Sequence, residues 1–215
     1  MNHTVAAPLL LLTLFAFSFM CGKIIYALFE LECHIVSELL EYPAKLLSEH
    51  SPGKKLLPIA LFIFYLLSTC IFNHPAELAL AWLFITLMIF ISFMDYQQHI
   101  IPDQILLPVA AAALLLTPFL AAPLTDRLIA ATAGGGFFLL LAIITRGGIG
   151  GGDIKLLFVL GLWLRSERLL TATLLGFIAG GIASAILLLT KTKKAGQMIA
   201  YGPYFAISAI LALLK

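Results

Sequence analysis

Charge is scarce in this chain: Lys, Arg, Asp and Glu together supply 24 of 215 residues, whereas 62% are hydrophobic. With a mean hydropathy of +1.07, a water-soluble globular domain is excluded and a polytopic membrane protein is expected. The net charge is only +2 and no basic block is present, so nucleic acid is not an expected partner. Cysteine is sparser still. Cys21, Cys33 and Cys70 form no C-x-x-C pair, which excludes a structural zinc site and a disulfide framework. No positive segment precedes the first apolar run, so residues 5–26 read as a retained span, not a cleaved signal. A G-x-S-x-G elbow and an H-E-x-x-H helix are also lacking, which removes the familiar serine-hydrolase and zinc-protease signatures.

What remains is hydrophobic and punctuated. Apolar runs separated by Pro, Gly and charge predict an all-α bundle of about eight transmembrane helices, near 5–26, 56–72, 77–94, 103–122, 128–145, 154–164, 169–190 and 198–214. The sixth is short for a crossing, so the glycine-rich stretch before it is expected to sit partly within the membrane. With the N-terminus outside, Lys23, Lys45, Lys54, Lys55, Arg146, Lys155, Lys191, Lys193 and Lys194 fall inside, nine of the thirteen basic residues. The positive-inside rule therefore favours that orientation, with an even number of spans. It puts Asp95 and Asp153 at cytoplasmic ends of spans.

Two regions are expected: residues 1–55, a first span plus a cytoplasmic loop, and residues 56–215, the transmembrane core. In the loop, Leu28, Leu31, Ile35, Leu39 and Tyr42 recur at helical spacing, while Glu30, Glu32, Glu38, Glu41 and Glu49 supply negative charge. A solvated surface helix and a dock for a basic segment both fit. Small-residue clusters at Ala110 to Ala113, Gly134 to Gly136, and Gly176 with Gly180 and Gly181 suit close helix packing.

Two acids stand out. In "MDYQQHIIPDQ", Asp95 ends a long apolar run and so faces the negative end of its own helix dipole, whereas Asp103 follows Pro102 in a first turn where an acid is favoured. In "GGIGGGDIK", Gly150, Gly151 and Gly152 strip side chains from the approach to Asp153, so an extended peptide backbone could reach that carboxyl. Lys155 follows as a source of local positive charge or a snorkelling anchor. His99, one turn from Asp95, reads as a tuning group or a plain loop histidine. Ionisable groups held in the membrane are functional candidates by default. Two carboxyls at one depth would resist simultaneous ionisation, so one could hold a proton against a peptide carbonyl while the other takes one from water. Fifty-seven residues separate Asp95 from Asp153, and nothing local brings them together.

Three motifs in order carry a resemblance: "DYQQHIIPD" from Asp95, "GGGDIKLLFVLGLWL" from Gly150 to Leu164, and "YGPYFAISA" from Tyr201. Over roughly residues 78–215 the chain resembles the bacterial type IV prepilin leader peptidases, which are GxGD-type intramembrane aspartic proteases. The resemblance implies a catalytic pair, Asp95 and Asp153, with Gly150, Gly152, Lys155, Pro102 and Asp103 as motif neighbours, and no metal or other cofactor. It further implies cleavage of the basic leader of prepilins or pseudopilins at the cytoplasmic face of the bacterial inner membrane. The family's fuller members carry two C-x-x-C pairs in the first loop and also N-methylate the new terminus. Here those pairs are missing, and the resemblance gives no support for methyl transfer from S-adenosylmethionine. Preflagellin-type substrates, or a non-enzymatic proton or ion transporter or secretion scaffold, are the alternative expectations.

Overall fold

The computed structural model describes residues 11–28, 53–120, 122–191 and 199–215. Most of the acidic first loop, including all five of its glutamates, lies outside them. Among the described residues there are eight α-helices and no strand, one helix for each predicted apolar run: α1 (Leu11–Leu28), α2 (Gly53–Ile71), α3 (Pro75–Gln98), α4 (Asp103–Leu115), α5 (Leu124–Ile144), α6 (Gly151–Trp163), α7 (Ser166–Leu189) and α8 (Gly202–Leu214). Helices α1, α3, α5 and α7 are each long and apolar enough to cross a membrane. This is a helical membrane bundle.

The chain forms two compact units, Met1–Leu78 and Ala79–Lys215. In the first, α1 and α2 meet through Phe15 and Phe62, whose rings stand edge to face at 5.6 Å, and through Phe17 and Tyr65 at 5.8 Å. A β-carbon on Gly22 would sit 3.1 Å from Pro58, so the two backbones approach closely there.

In the second unit, α6 is the central element. Leu156, Leu157 and Val159 through Trp163 are all buried, and α6 packs on α4, α5, α7 and α8. That position explains its uniform hydrophobicity and its mere 13 residues: a helix wrapped by protein needs neither a polar face nor the length to span lipid. Gly161 lets it lie directly on α5, because a β-carbon there would fall 2.3 Å from the Ala131 backbone. Trp163 completes the packing. Its ring lies 5.4 Å from Phe84 of α3, and its Nε1 donates to the Val109 carbonyl of α4 at 3.0 Å.

The glycine clusters behave largely as packing residues. β-Carbons on Gly134, Gly176 and Gly180 would meet Leu169, Phe205 and Tyr201 at 2.8, 2.4 and 2.5 Å, whereas Gly136 and Gly181 face open space. The fourth predicted span departs from expectation. Instead of running to residue 122, α4 stops at Leu115, and a 3-10 turn follows at Thr117–Phe119. Pro118 stands in that turn, and the fully buried Arg127 holds it in place. Its Nε donates to the Leu162 carbonyl, Nη1 to Thr117 Oγ1 and Nη2 to the Ala113 carbonyl. One guanidinium thus closes the C-terminal ends of α4 and α6, where unpaired carbonyls favour a cation. Beside it, Asp126 accepts from the hydroxyl and the backbone N–H of Ser166, the first residue of α7.

Candidate active site

Each of the two acids sits at a helix end, for a reason visible in the sequence. Asp95 occupies the last turn of α3, which stops where His99 takes a left-handed conformation, φ 55°, with its N–H bonded to the Asp95 carbonyl at 2.8 Å. Asp153 lies in the first turn of α6, behind the N-cap Gly150, where an acid complements the helix dipole. The fold brings them to one cavity of about 640 Å³, lined also by His99, the glycine segment Gly147 to Gly150, and Phe138, Phe177, Tyr201 and Phe205.

Asp95 is buried, 5% exposed, yet it sits at the unfavourable end of its own helix. The N-terminus of α8 compensates. The backbone N–H of Gly202 donates to Asp95 Oδ2 at 2.8 Å, and a helix N-terminus carries the partial positive charge a carboxylate needs. Asp153 is less buried, and among the described residues its carboxyl accepts no hydrogen bond from the protein. Two acids facing one cavity cannot both ionise cheaply, because burial penalises each charge and each repels the other.

The motif neighbours have other partners. Gly152 does not open a path to Asp153. It lies within α6, where a β-carbon would meet Ile101 at 3.2 Å, so it docks the α6 start on the segment before α4. A β-carbon on Gly150 would lie 3.3 Å from Asp153 Oδ2, and Gly151 faces open space. Pro102 is the N-cap of α4. Lys155 and Asp103 form a bidentate ion pair at 2.7 and 2.8 Å, so the lysine is spent on the first motif, not on Asp153. Ile101 with Gly152 and Asp103 with Lys155 therefore tie the two acidic motifs together beside the cavity.

The aromatic floor of the cavity escaped the sequence reading. Phe138 stacks on Phe177 at 5.1 Å, and Phe205 stands edge-on to both at 5.4 and 5.6 Å. The one-turn spacing of Tyr201 and Phe205 in the closing motif was the available signal, since it aims both rings to one side of α8.

Residues 82–185 match the model of the type IV leader peptidase family. Over that stretch, just under half of its length, the chain resembles that family. Proteins named prepilin leader peptidase/N-methyltransferase are its relatives in Bacillus subtilis (36% identical over 146 residues), Aeromonas salmonicida (34% over 145) and Pseudomonas aeruginosa (33% over 129). These alignments cover 66%, 65% and 57% of this chain, and 58%, 48% and 44% of the relatives. The leader-peptidase likeness thus spans about half the length of the proteins it matches. No solved structure matches the chain. The family match contains both acids and both ends of the Lys155–Asp103 pair, and it stops before Gly202.

Proposed function

We propose that this membrane protein is an aspartic endopeptidase that removes the basic leader from type IV prepilins or pseudopilins, with Asp95 and Asp153 as its catalytic pair. The observation that carries this reading is the presence of both carboxyls on one cavity, whose walls include His99, the glycine segment before Asp153 and four aromatic rings. Such a cavity offers an extended peptide a surface on which its backbone can lie beside two acids.

The chemistry follows from one shared proton. The protonated acid hydrogen-bonds the scissile carbonyl oxygen and transfers its proton there as a water oxygen attacks the carbonyl carbon. The ionised acid takes the proton that water releases. The tetrahedral diol then collapses, a proton passes to the departing amide nitrogen, and the C–N bond breaks to leave a carboxylic acid and an amine. No metal or other cofactor takes part in this scheme. We place the reaction at the cytoplasmic face of a bacterial inner membrane, with the N-terminus outside, on the sidedness of the basic residues.

The proposal covers the peptidase step alone. The relatives' names include N-methyltransferase, but this chain has no C-x-x-C pair to match those of the family's fuller members. Preflagellin-type precursors would use the same two acids. A proton- or ion-conducting role is disfavoured by α6, whose residues from Leu156 to Leu162 are apolar and, Phe158 apart, buried.

The test is cleavage of a prepilin-like precursor in liposomes by wild type, Asp95→Asn and Asp153→Asn, with folding of each checked. Cleavage by wild type and by neither folded variant is expected. Full activity in either variant removes that acid from the mechanism, and an inactive wild type moves the search to preflagellin-type precursors.

A further inference from the structure

We propose that Gly202 is a positioning residue for Asp95: its backbone N–H holds Oδ2, leaving Oδ1 as the oxygen that receives the proton of the attacking water. This rests on the peptidase reading above. The residue lies outside the stretch matched by the family model and carries no side chain, so its contribution is visible only in the geometry.

Three observations support the assignment. Gly202 N–H donates to Asp95 Oδ2 at 2.8 Å, and among the described residues no donor meets Oδ1. The approach also requires glycine, because a β-carbon there would lie 2.6 Å from Oδ2 and 2.9 Å from both Cβ and Cγ of Asp95. Finally, the donor is fixed from behind. Tyr201 and Phe205, flanking the first turn of α8, fill the spaces left by Gly180 and Gly176 on α7, and Tyr201 Oη lies 3.3 Å from Ser184 Oγ. Pro203 follows directly and restricts the backbone of that turn.

The consequence is preorganisation. A donor wedged between α7 and α3 cannot follow Asp95 if the carboxyl rotates, so Oδ2 is pinned and Oδ1 stays presented to the cavity. In the reaction, the water oxygen bonds to the carbonyl carbon and its proton goes to Oδ1, while Asp153 supplies the proton for the carbonyl oxygen. Preorganised groups of this kind act on the chemical step, not on substrate capture.

Two substitutions at position 202, a control at Gly181 and one spectrum test this. Gly202→Ala should lower kcat about 100-fold, the scale of a roughly 1 Å misplacement of a reacting group, with KM for the precursor unchanged. Glycolic acid at position 202 replaces the N–H by an ester oxygen and adds no bulk, so it should still lower kcat about 10-fold or more. Gly181→Ala, whose β-carbon meets nothing within 4 Å, should match wild type. In protein labelled with 15N-glycine, the Gly202 amide resonance should move in Asp95→Asn and stay in place in Gly181→Ala. Wild-type kcat in the ester protein, a loss confined to KM, or an amide resonance indifferent to Asp95→Asn overturns the proposal. Failure of wild type to cleave any precursor defeats the peptidase reading instead, while the amide resonance still reports on the contact.

Discussion

Arg127→Met removes the one fully buried cation among the described residues while keeping most of the side chain's volume. In the native protein the guanidinium satisfies the Leu162 and Ala113 carbonyls and Thr117 Oγ1. Hydrogen bonds to a charged group contribute about 1.5–3 kcal/mol each, so three represent roughly 5–9 kcal/mol. Against this stands the desolvation of the guanidinium, several kcal/mol in a protein interior, which the variant no longer bears. The net loss should be about 3 kcal/mol, because the Leu162 carbonyl is left buried without a donor and the Ala113 carbonyl keeps only a long contact from Thr117 Oγ1 at 3.4 Å. Arg127→Lys keeps the charge but not the fork, and a single ammonium cannot reach acceptors fixed on three sides, so it should recover only part of the loss. Equilibrium unfolding in mixed detergent micelles measures both variants. Leu162 lies nine residues along α6 from Asp153, about 14 Å at 1.5 Å per residue, so the folded fraction should keep its cleavage rate. An Arg127→Met protein within about 0.5 kcal/mol of wild type, the range of an ordinary surface substitution, would refute the assignment of this residue as the clamp of α4 and α6.

Other substitutions separate contacts that matter from those that do not. Gly161→Leu should prevent stable folding, since even its first added carbon would overlap the Ala131 backbone at 2.3 Å; proteolytic resistance in membranes reads this directly. Lys155→Ala should cost less than about 1 kcal/mol in unfolding titrations, because its pair with Asp103 is more than half exposed and screened. Trp163→Phe keeps the ring beside Phe84 but loses the bond to Val109, and about 1 kcal/mol of destabilisation is expected from the same titration.

The helices were legible because lipid and buried core impose the same simple demand, long apolar runs broken by Pro, Gly and charge. Asp95 stood out because an acid at the end of an apolar helix opposes the helix dipole, and Asp153 because a run of glycines precedes it. Partners distant in the chain were not legible. Arg127 looks like any cation at the start of a span, and only the fold shows that α4 and α6 end around it. Gly152 seemed to clear a route to Asp153, yet the space it vacates holds Ile101. Lys155 seemed free to act on Asp153 until Asp103, 52 residues away, proved to be its partner. The closing motif was recognisable as a pattern, but its physical role emerges from one backbone N–H reaching a carboxyl 107 residues away. In each case the missing information was a long-range contact, which neither helical periodicity nor composition encodes.

The central claim is that Asp95 and Asp153 work as one proton-sharing unit. Its most direct test is a double-mutant cycle on kcat for precursor cleavage, using Asp95→Asn, Asp153→Asn and the double variant, each verified as folded. Residues that act as a unit are strongly non-additive, so the double variant should be no slower than the slower single variant. A double variant whose loss equals the product of the two single losses would contradict the account, because each acid would then contribute independently of the other.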